Sequence, residues 1–205
     1  MSDASARRAV AIAGHTGDVA TARAGLNHPD AVVRATALGA LERLGALEPE
    51  ELASCLSVRA ESSPIVRRRA AEVASHFLEV ALLEALDDPD WSVVEMACWA
   101  VGEHEVADDA TLARLIALAG QDEEALVREA AVAALGAVGD PRGLPAIVAA
   151  TNDKAAVRRR AAVALAPFDD PEADDALRML LTDRDWQTRQ IAEDLLDERP
   201  SADQT

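Results

Sequence analysis

The segment Val127-Arg128-Glu129-Ala130-Ala131-Val132-Ala133-Ala134-Leu135-Gly136 recurs in altered form along this chain of 205 residues. The other copies are VRATALGALE from Val33, VRRRAAEVAS from Val66, VVEMACWAVG from Val93, VRRRAAVALA from Val157 and TRQIAEDLLD from Thr188. We take the second residue of each copy as its anchor, which gives Arg34, Arg67, Val94, Arg128, Arg158 and Arg189. The successive spacings of 33, 27, 34, 30 and 31 residues predict a repeat of about 31 residues along the whole chain.

Each copy predicts an amphipathic helix. Positions −1, +3, +6 and +7 from the anchor are almost always apolar, as at Val127, Ala131, Ala134 and Leu135. This spacing places the four side chains in one stripe of a helix. Residues suited to capping a helix start stand four positions before four anchors and five before another; they are Asp30, Ser63, Asp90 and Asp185, and then Asp153.

A second set of shorter apolar stripes lies between these helices. Examples are Leu112, Leu115, Ile116 and Ala119, then Leu144, Ile147 and Val148, and then Leu177, Leu180 and Leu181. Gly139-Asp140-Pro141 and Asp169-Asp170-Pro171 predict the turns between the two sets. The unit is therefore two helices joined by a turn, repeated six times, with residues 3–13 as a lone helix of the anchor type. No single pair buries its own stripe, so the units must stack.

The pattern resembles HEAT repeats, most closely the short subtype found in phycobilisome lyases. Val127–Pro141 and Asp88–Gly102 carry the resemblance. It implies an all-α fold, an α-α superhelix of about six helix pairs plus an N-terminal half-repeat. The predicted solenoid covers residues 1–197, with units near 18–44, 48–75, 77–103, 108–137, 141–166 and 171–197 and a flexible tail at 198–205.

The anchor arginines have a structural interpretation. Arg34 follows Asp30, and Arg189 follows Asp185, by four residues, so each pair can form within one helix, while in a solenoid each arginine can also reach the neighbouring repeat. The family resemblance also implies a ladder of aspartate–arginine pairs between repeats. Val94 interrupts the series of arginines. The short spacing before Val94 predicts a shortened turn near Ser75-His76-Phe77 and a local change of superhelical twist.

The charge of the chain excludes several classes of partner. Twenty Lys and Arg against 37 Asp and Glu give a net charge of −17, with −1 over residues 1–80 and −8 over both 81–168 and 169–205. Binding to nucleic acid or to an anionic membrane surface needs clustered positive charge, so neither partner is expected. No apolar run approaches the roughly 20 residues of a membrane span, and the N-terminus does not read as a secretory signal. Cys55 and Cys98 are far apart, which favours a reducing, cytoplasmic location.

No pattern in the sequence predicts a catalytic, cofactor or metal site. The chain has a single His-Glu pair at His104-Glu105, whereas the di-iron enzymes among HEAT-repeat proteins use four. The remaining histidines are spread over other repeats. Acid pairs such as Asp108-Asp109 and Asp174-Asp175 fall at turns and helix starts, where solvation and the helix dipole explain them.

The candidate binding residues occupy positions +1 and +5 of the anchor helices. These positions are one turn apart and lean toward solvent; the six residues are Arg68, Glu72, Glu95, Trp99, Glu129 and Arg159. Trp99 is either a binding anchor or packs on the adjacent unit. In Arg67-Arg68-Arg69 and Arg158-Arg159-Arg160 we expect the first arginine to be structural and the others solvated. If they face the inner surface, they form basic spots suited to an acidic peptide or a phosphate-bearing ligand.

These observations favour a non-enzymatic scaffold or adaptor that binds a protein or peptide partner along the inner face of the superhelix. The family resemblance implies an alternative, a bilin lyase or isomerase-like subunit that acts on a tetrapyrrole–protein conjugate. A third option, an enzyme like the HEAT-like DNA glycosylases, needs a basic concave surface, which the net charge disfavours.

Overall fold

The computed structural model describes residues 2–199, and these residues form twelve α-helices and no β-strand. The helices are α1 Asp3–Thr16, α2 Val19–Gly25, α3 Ala31–Arg43, α4 Pro49–Leu56, α5 Pro64–Ala74, α6 Trp91–His104, α7 Asp109–Gln121, α8 Ala125–Val138, α9 Leu144–Ala150, α10 Ala155–Ala164, α11 Pro171–Leu180 and α12 Trp186–Glu198. Single 3-10 turns lie at Ala85–Asp87 and Pro141–Gly143. The all-α fold is confirmed. Most of the tail predicted at 198–205 lies outside the described residues.

The chain divides into two compact units, one ending at Ala100 and the other beginning at Val101. In the first unit α1 packs on α3 and α3 packs on α5, so the anchor helices are neighbours. Helix α2 contacts α1 and α3, and α4 contacts α5. Because α1 packs on α3 as the anchor helices pack on one another, the predicted lone N-terminal helix of the anchor type is confirmed.

The second unit repeats this two-layer arrangement. Helix α10 packs between α8 and α12, while α7, α9 and α11 contact these anchor helices from the other layer. The apolar stripe is buried as expected, since Val127, Ala131, Ala134 and Leu135 are at most 1% exposed. Small alanines against leucines therefore make a thin core between the helices.

Most of the predicted helix caps are confirmed. The carboxylate of Asp30 accepts hydrogen bonds from the backbone of Val32 and Val33, and that of Asp185 accepts one from Thr188. Asp90 accepts from the backbone of Ser92 at 3.0 Å. Ser63 stands at the N-cap of α5 without a side-chain hydrogen bond. The prediction for Asp153 is wrong: Lys154 is the N-cap residue of α10, and Asp153 pairs with an arginine of the preceding anchor helix.

The short 27-residue spacing has a clear structural result. Between Ala74 and Trp91 the chain forms turns and the 3-10 helix Ala85–Asp87. The shortening therefore falls on the first helix of this repeat, which is reduced to one turn, and not on the turn near Ser75-His76-Phe77 where the sequence predicted it. Val80, Leu82 and Leu86 are still buried. The shortened segment thus still buries apolar side chains. The predicted change of twist stays a prediction.

Candidate functional site

Four anchor arginines form a ladder with acids that precede the next anchor helix. The pairs are Arg34–Glu61, Arg67–Asp88, Arg128–Asp153 and Arg158–Asp183, two in each unit. In every pair Nε and Nη2 of the arginine donate to the two carboxylate oxygens at 2.6–2.9 Å. This two-point geometry is the strongest form of an arginine–carboxylate interaction.

Each ladder pair also holds the turns on either side of it. Nη1 of Arg158 donates to the carbonyl oxygen of Asp153 at 2.8 Å, at the start of its own helix. Its partner Asp183 accepts a further hydrogen bond from the backbone N–H of Asp185 at 2.7 Å, the N-cap residue of α12. Arg67 and Asp88 repeat both contacts with Glu61 and Asp90. A ladder arginine therefore ties the beginning of one anchor helix to the beginning of the next.

The ladder corrects one prediction and confirms another. Of the two arrangements open to these arginines, the four-residue pairs Arg34–Asp30 and Arg189–Asp185 do not form, because both aspartates cap their helices instead. Arg34 pairs with Glu61, and Arg189 donates to the carbonyl oxygen of Asp183. The ladder between repeats that the resemblance implied is present inside each of the two compact units.

The ladder pairs are electrostatically coupled. The hydrogen bond from Arg128 holds the pKa of Asp153 below its usual 3.8, and Arg158 does the same to the pKa of Asp183. On the basic side, the hydrogen bond to Asp88 raises the pKa of Arg67. Folding therefore favours the charged forms of Asp153, Asp183 and Arg67.

The lowered pKa of Asp153 predicts how its contribution to stability depends on pH. A carboxyl whose pKa is lower in the folded state adds stability above the unfolded value of 3.8, and that stability is lost as the pH falls through the lower folded value. We expect Asp153→Asn to reduce the free energy of unfolding by about 1–3 kcal/mol at pH 6–7, because Arg128 loses its charged partner. The difference from the wild type should shrink below about pH 4. Urea unfolding followed by circular dichroism between pH 3 and 7 measures it.

Asp175→Asn is the matched control, since the side chain of Asp175 is 76% exposed and pairs with Arg178 on the surface of α11. Its effect should stay under about 1 kcal/mol at every pH. A loss for Asp153→Asn that is the same at pH 3 and pH 7 contradicts the electrostatic account.

The candidate binding residues of the first unit come together in one place. Arg68 and Glu72 of α5 and Glu95, Met96 and Trp99 of α6 line an open groove of about 280 Å³, called here the Trp99 groove. Trp99 is 40% exposed, as expected for position +5. Met96, at position +2, was missed by the sequence reasoning, which considered only positions +1 and +5.

A second groove continues this surface toward α3. It has a volume of about 390 Å³ and shares Arg68 and Glu72 with the Trp99 groove; its other lining residues are Ala35, Pro64, Ile65, Arg69, Asp90 and Ser92. Ile65 is 54% exposed. The two grooves make a continuous surface across α3, α5 and α6.

The charges in the Trp99 groove are unequally paired. Glu72 forms a 2.6 Å ion pair with Arg69, which also lies 3.5 Å from Glu42. Arg68 and Glu95 approach only to 4.0 Å. Among the described residues, the weakly held charges of this groove are therefore Arg68 and Glu95.

The remaining two candidate residues lie in the second unit. Glu129 of α8 pairs with Arg160 at 3.6 Å, and Arg159 of α10 lies 3.9 Å from Asp185 and donates a hydrogen bond to Gln187. A groove of about 260 Å³ between α8 and α10 is lined mainly by small apolar residues, which are Ala133, Gly136, Ala137, Val163, Ala164 and Pro167, together with Arg160. In both arginine triplets the first residue is buried in the ladder, as predicted, and the others form ion pairs at the surface.

Between Ser2 and Arg199 there is no group of three or more His, Cys, Asp or Glu side chains placed to hold a metal ion. None of the helices described is both long and apolar enough to cross a membrane.

Comparison with family models gives two matches. HEAT repeats match residues 79–162, and the PBS lyase HEAT-like repeat matches residues 157–183. The chain is a HEAT-repeat protein. The second match is to the short-repeat subtype and includes the ladder pair Arg158–Asp183. A comparison with curated protein sequences gives no match.

Solved structures confirm the fold of this HEAT-repeat protein. YibA from Escherichia coli is 20% identical, with a TM-score of 0.68 over 92% of this chain and 70% of that one. A designed armadillo repeat protein in complex with the peptide (KR)4 is 17% identical, with a TM-score of 0.63 over 88% and 98%. The complex of CpcE and CpcF of phycocyanin lyase from Nostoc is 24% identical, with a TM-score of 0.62 over 87% and 75%. At these identities the likeness establishes the helical-repeat fold alone.

Proposed function

We propose that this HEAT-repeat protein is a non-enzymatic scaffold that binds a protein or peptide partner through the exposed face of α3, α5 and α6. The observation that carries the proposal is the Trp99 groove, in which a large exposed aromatic ring lies among charged side chains. Tryptophan, tyrosine and arginine are enriched among the few residues that supply most of the binding energy of protein interfaces.

The shape of the surface suits an extended segment. The two grooves share Arg68 and Glu72 and run across three neighbouring helices. Two steps between helices at about 8–10 Å each span the length of roughly five or six extended residues. Peptide binding by the designed armadillo protein, which has a similar fold, supports the same kind of partner.

A selection from a random peptide library displayed on phage tests this proposal. Peptides enriched on the immobilised wild-type protein are synthesised with a fluorescent label, and their affinities are measured by fluorescence anisotropy. We expect Trp99→Ala to weaken binding at least about tenfold, the loss typical of an aromatic anchor. Circular dichroism should show unchanged helical content, because Trp99 lies at the surface.

Trp186→Ala is the control, since Trp186 is 64% exposed and is the first residue of α12 in the second unit. It should leave the affinities unchanged. Peptides that bind both variants as well as the wild type would contradict the proposed site, and failure to enrich any peptide would contradict peptide binding itself. The bilin lyase alternative is tested by mixing the protein with phycocyanobilin and an acceptor phycobiliprotein subunit; a protein-dependent absorbance change would replace the scaffold proposal.

A further inference from the structure

We infer that the Trp99 groove takes an arginine or lysine side chain from a basic peptide, with the cation against the indole ring and the carboxylate of Glu95. This inference rests on the proposed function and adds the chemistry of the bound residue. It follows from the aromatic ring, from the weak pairing of Glu95 and from the charge of the chain.

The first argument is the combination of a ring and a carboxylate. Glu95 and Trp99 are four residues apart on α6, so they are neighbours on one side of the helix. The face of an indole ring attracts a cation through its quadrupole, and the adjacent carboxylate accepts the hydrogen bonds of that cation. Half-buried Met96 supplies an apolar contact for the aliphatic stem of arginine or lysine.

The second argument is that Glu95 is only loosely engaged. Its ion pair with Arg68 is 4.0 Å long, and no hydrogen bond joins these two side chains. Glu72, by contrast, holds Arg69 at 2.6 Å. The side chain of Arg68 is 42% exposed and lines the same groove. Its guanidinium therefore lies close to the position that we assign to the cation of the bound peptide. A guest cation therefore competes with Arg68 for Glu95.

The third argument is charge complementarity. The Trp99 groove contains two carboxylates and one guanidinium, and the whole chain has a net charge of −17. Such a chain attracts basic partners over long range and repels acidic ones. The alternative in which Arg68 binds an acidic peptide works against this field, and Glu95 lies next to Arg68. We therefore assign the groove to a basic side chain.

The experiment uses three fluorescein-labelled nonapeptides in which serine alternates with arginine, glutamate or leucine. Fluorescence anisotropy at 0.15 M salt measures their affinities for the full chain. We expect the arginine peptide to bind the wild type, and Glu95→Gln to weaken this binding by about fivefold, the effect of removing one exposed charge contact. Glu193→Gln is the matched control, because Glu193 is an exposed carboxylate of α12 and its loss changes the net charge equally. It should change the affinity less than about twofold.

Removing Arg68 gives a result whose sign decides between basic and acidic partners. If Arg68 competes with the guest cation, Arg68→Gln should tighten binding of the arginine peptide by about two- to fivefold, the value of a surface ion pair. Arg178→Gln removes an exposed arginine of α11 and serves as the control for net charge. A site for acidic peptides predicts the opposite sign.

The outcomes separate this inference from the proposed function. Binding of the glutamate or leucine peptide that depends on Trp99, without binding of the arginine peptide, overturns the inference and leaves the scaffold proposal intact. Equal losses for Glu95→Gln and Glu193→Gln also overturn it, because the attraction is then a property of the whole charge. Binding of none of the three probes overturns the inference, while the library selection decides the proposed function independently.

Discussion

Replacing Arg67 by methionine should lower the free energy of unfolding by about 3–5 kcal/mol, the cost of leaving a buried charge without its partner. The side chains of Arg67 and Asp88 are only 5% and 1% exposed, and two hydrogen bonds of 2.6 and 2.9 Å join them. Without the guanidinium, the Asp88 carboxylate keeps the backbone N–H of Asp90 but has no cation. Since a domain of this size is stable by roughly 5–15 kcal/mol, the loss is readily measured by urea unfolding.

Arg128→Met is the matched control within the same ladder. Arg128 and Asp153 have the same two-point geometry, but their side chains are 13% and 20% exposed, so water can solvate the remaining carboxylate. We expect a smaller loss of about 1–3 kcal/mol. Adding Asp88→Asn to Arg67→Met removes the orphaned charge and should recover part of the stability. Equal losses for the two arginines, or no recovery in the double variant, would show that desolvation does not determine the strength of the ladder.

The helices could be predicted from the sequence because each depends on residues within a few positions of one another. The stripe of Val127, Ala131, Ala134 and Leu135 is a local pattern, and so is the aspartate cap of α3. The packing of successive helix pairs inside each compact unit followed from the repeat, since an exposed stripe recurring every 31 residues or so can be buried only by its neighbour.

The ladder partners were missed for a physical reason. Helical periodicity reports side chains that meet within one helix, whereas Arg34 and Arg67 reach carboxylates 27 and 21 residues further along the chain. A signal was present in the repeat: an acid stands five or six residues before most anchors; these acids are Glu61, Asp88, Asp122, Asp153 and Asp183. These acids are identified when the copies of the repeat are aligned with one another, position by position, and not when each helix is considered alone.

The candidate site was predicted in part. Position +5 of the anchor helices leans toward solvent, and in five of the copies it holds Gly39, Glu72, Trp99, Ala133 and Val163. Trp99 is the one aromatic residue among these five, which made it a candidate binding residue. The volume of a groove depends on the distance between two helices, and the residue pattern of one helix does not predict that distance. Met96 and Ile65 were missed for that reason, although both line the surface next to Trp99.

Introducing a leucine at Gly136 should destabilise the second unit by about 3 kcal/mol or more, because α8 and α10 meet there through their backbones. A Cβ atom at Gly136 would lie 2.7 Å from both Cα and Cβ of Ala164, closer than carbon atoms approach in folded proteins. Even Gly136→Ala should cost about 1–2 kcal/mol, since the strain of overpacking exceeds the gain of about 1 kcal/mol in helix propensity. Urea unfolding followed by circular dichroism measures both variants.

Gly102→Ala is the matched control, because Gly102 occupies the same position of the repeat as Gly136. Gly102 of α6 also stands eight residues after its anchor and faces Ala134, but there a new Cβ would lie 3.4 Å from the Cα atom, an ordinary contact. Gly102→Ala should therefore be neutral or stabilising by up to about 1 kcal/mol through helix propensity alone. Gly14, whose added Cβ would lie 2.9 Å from Ala40, should resemble Gly136. Should Gly136→Ala and Gly102→Ala change stability alike, backbone approach at this position of the repeat is not what requires glycine, and the close packing of the anchor helices must be held by their alanines and leucines instead.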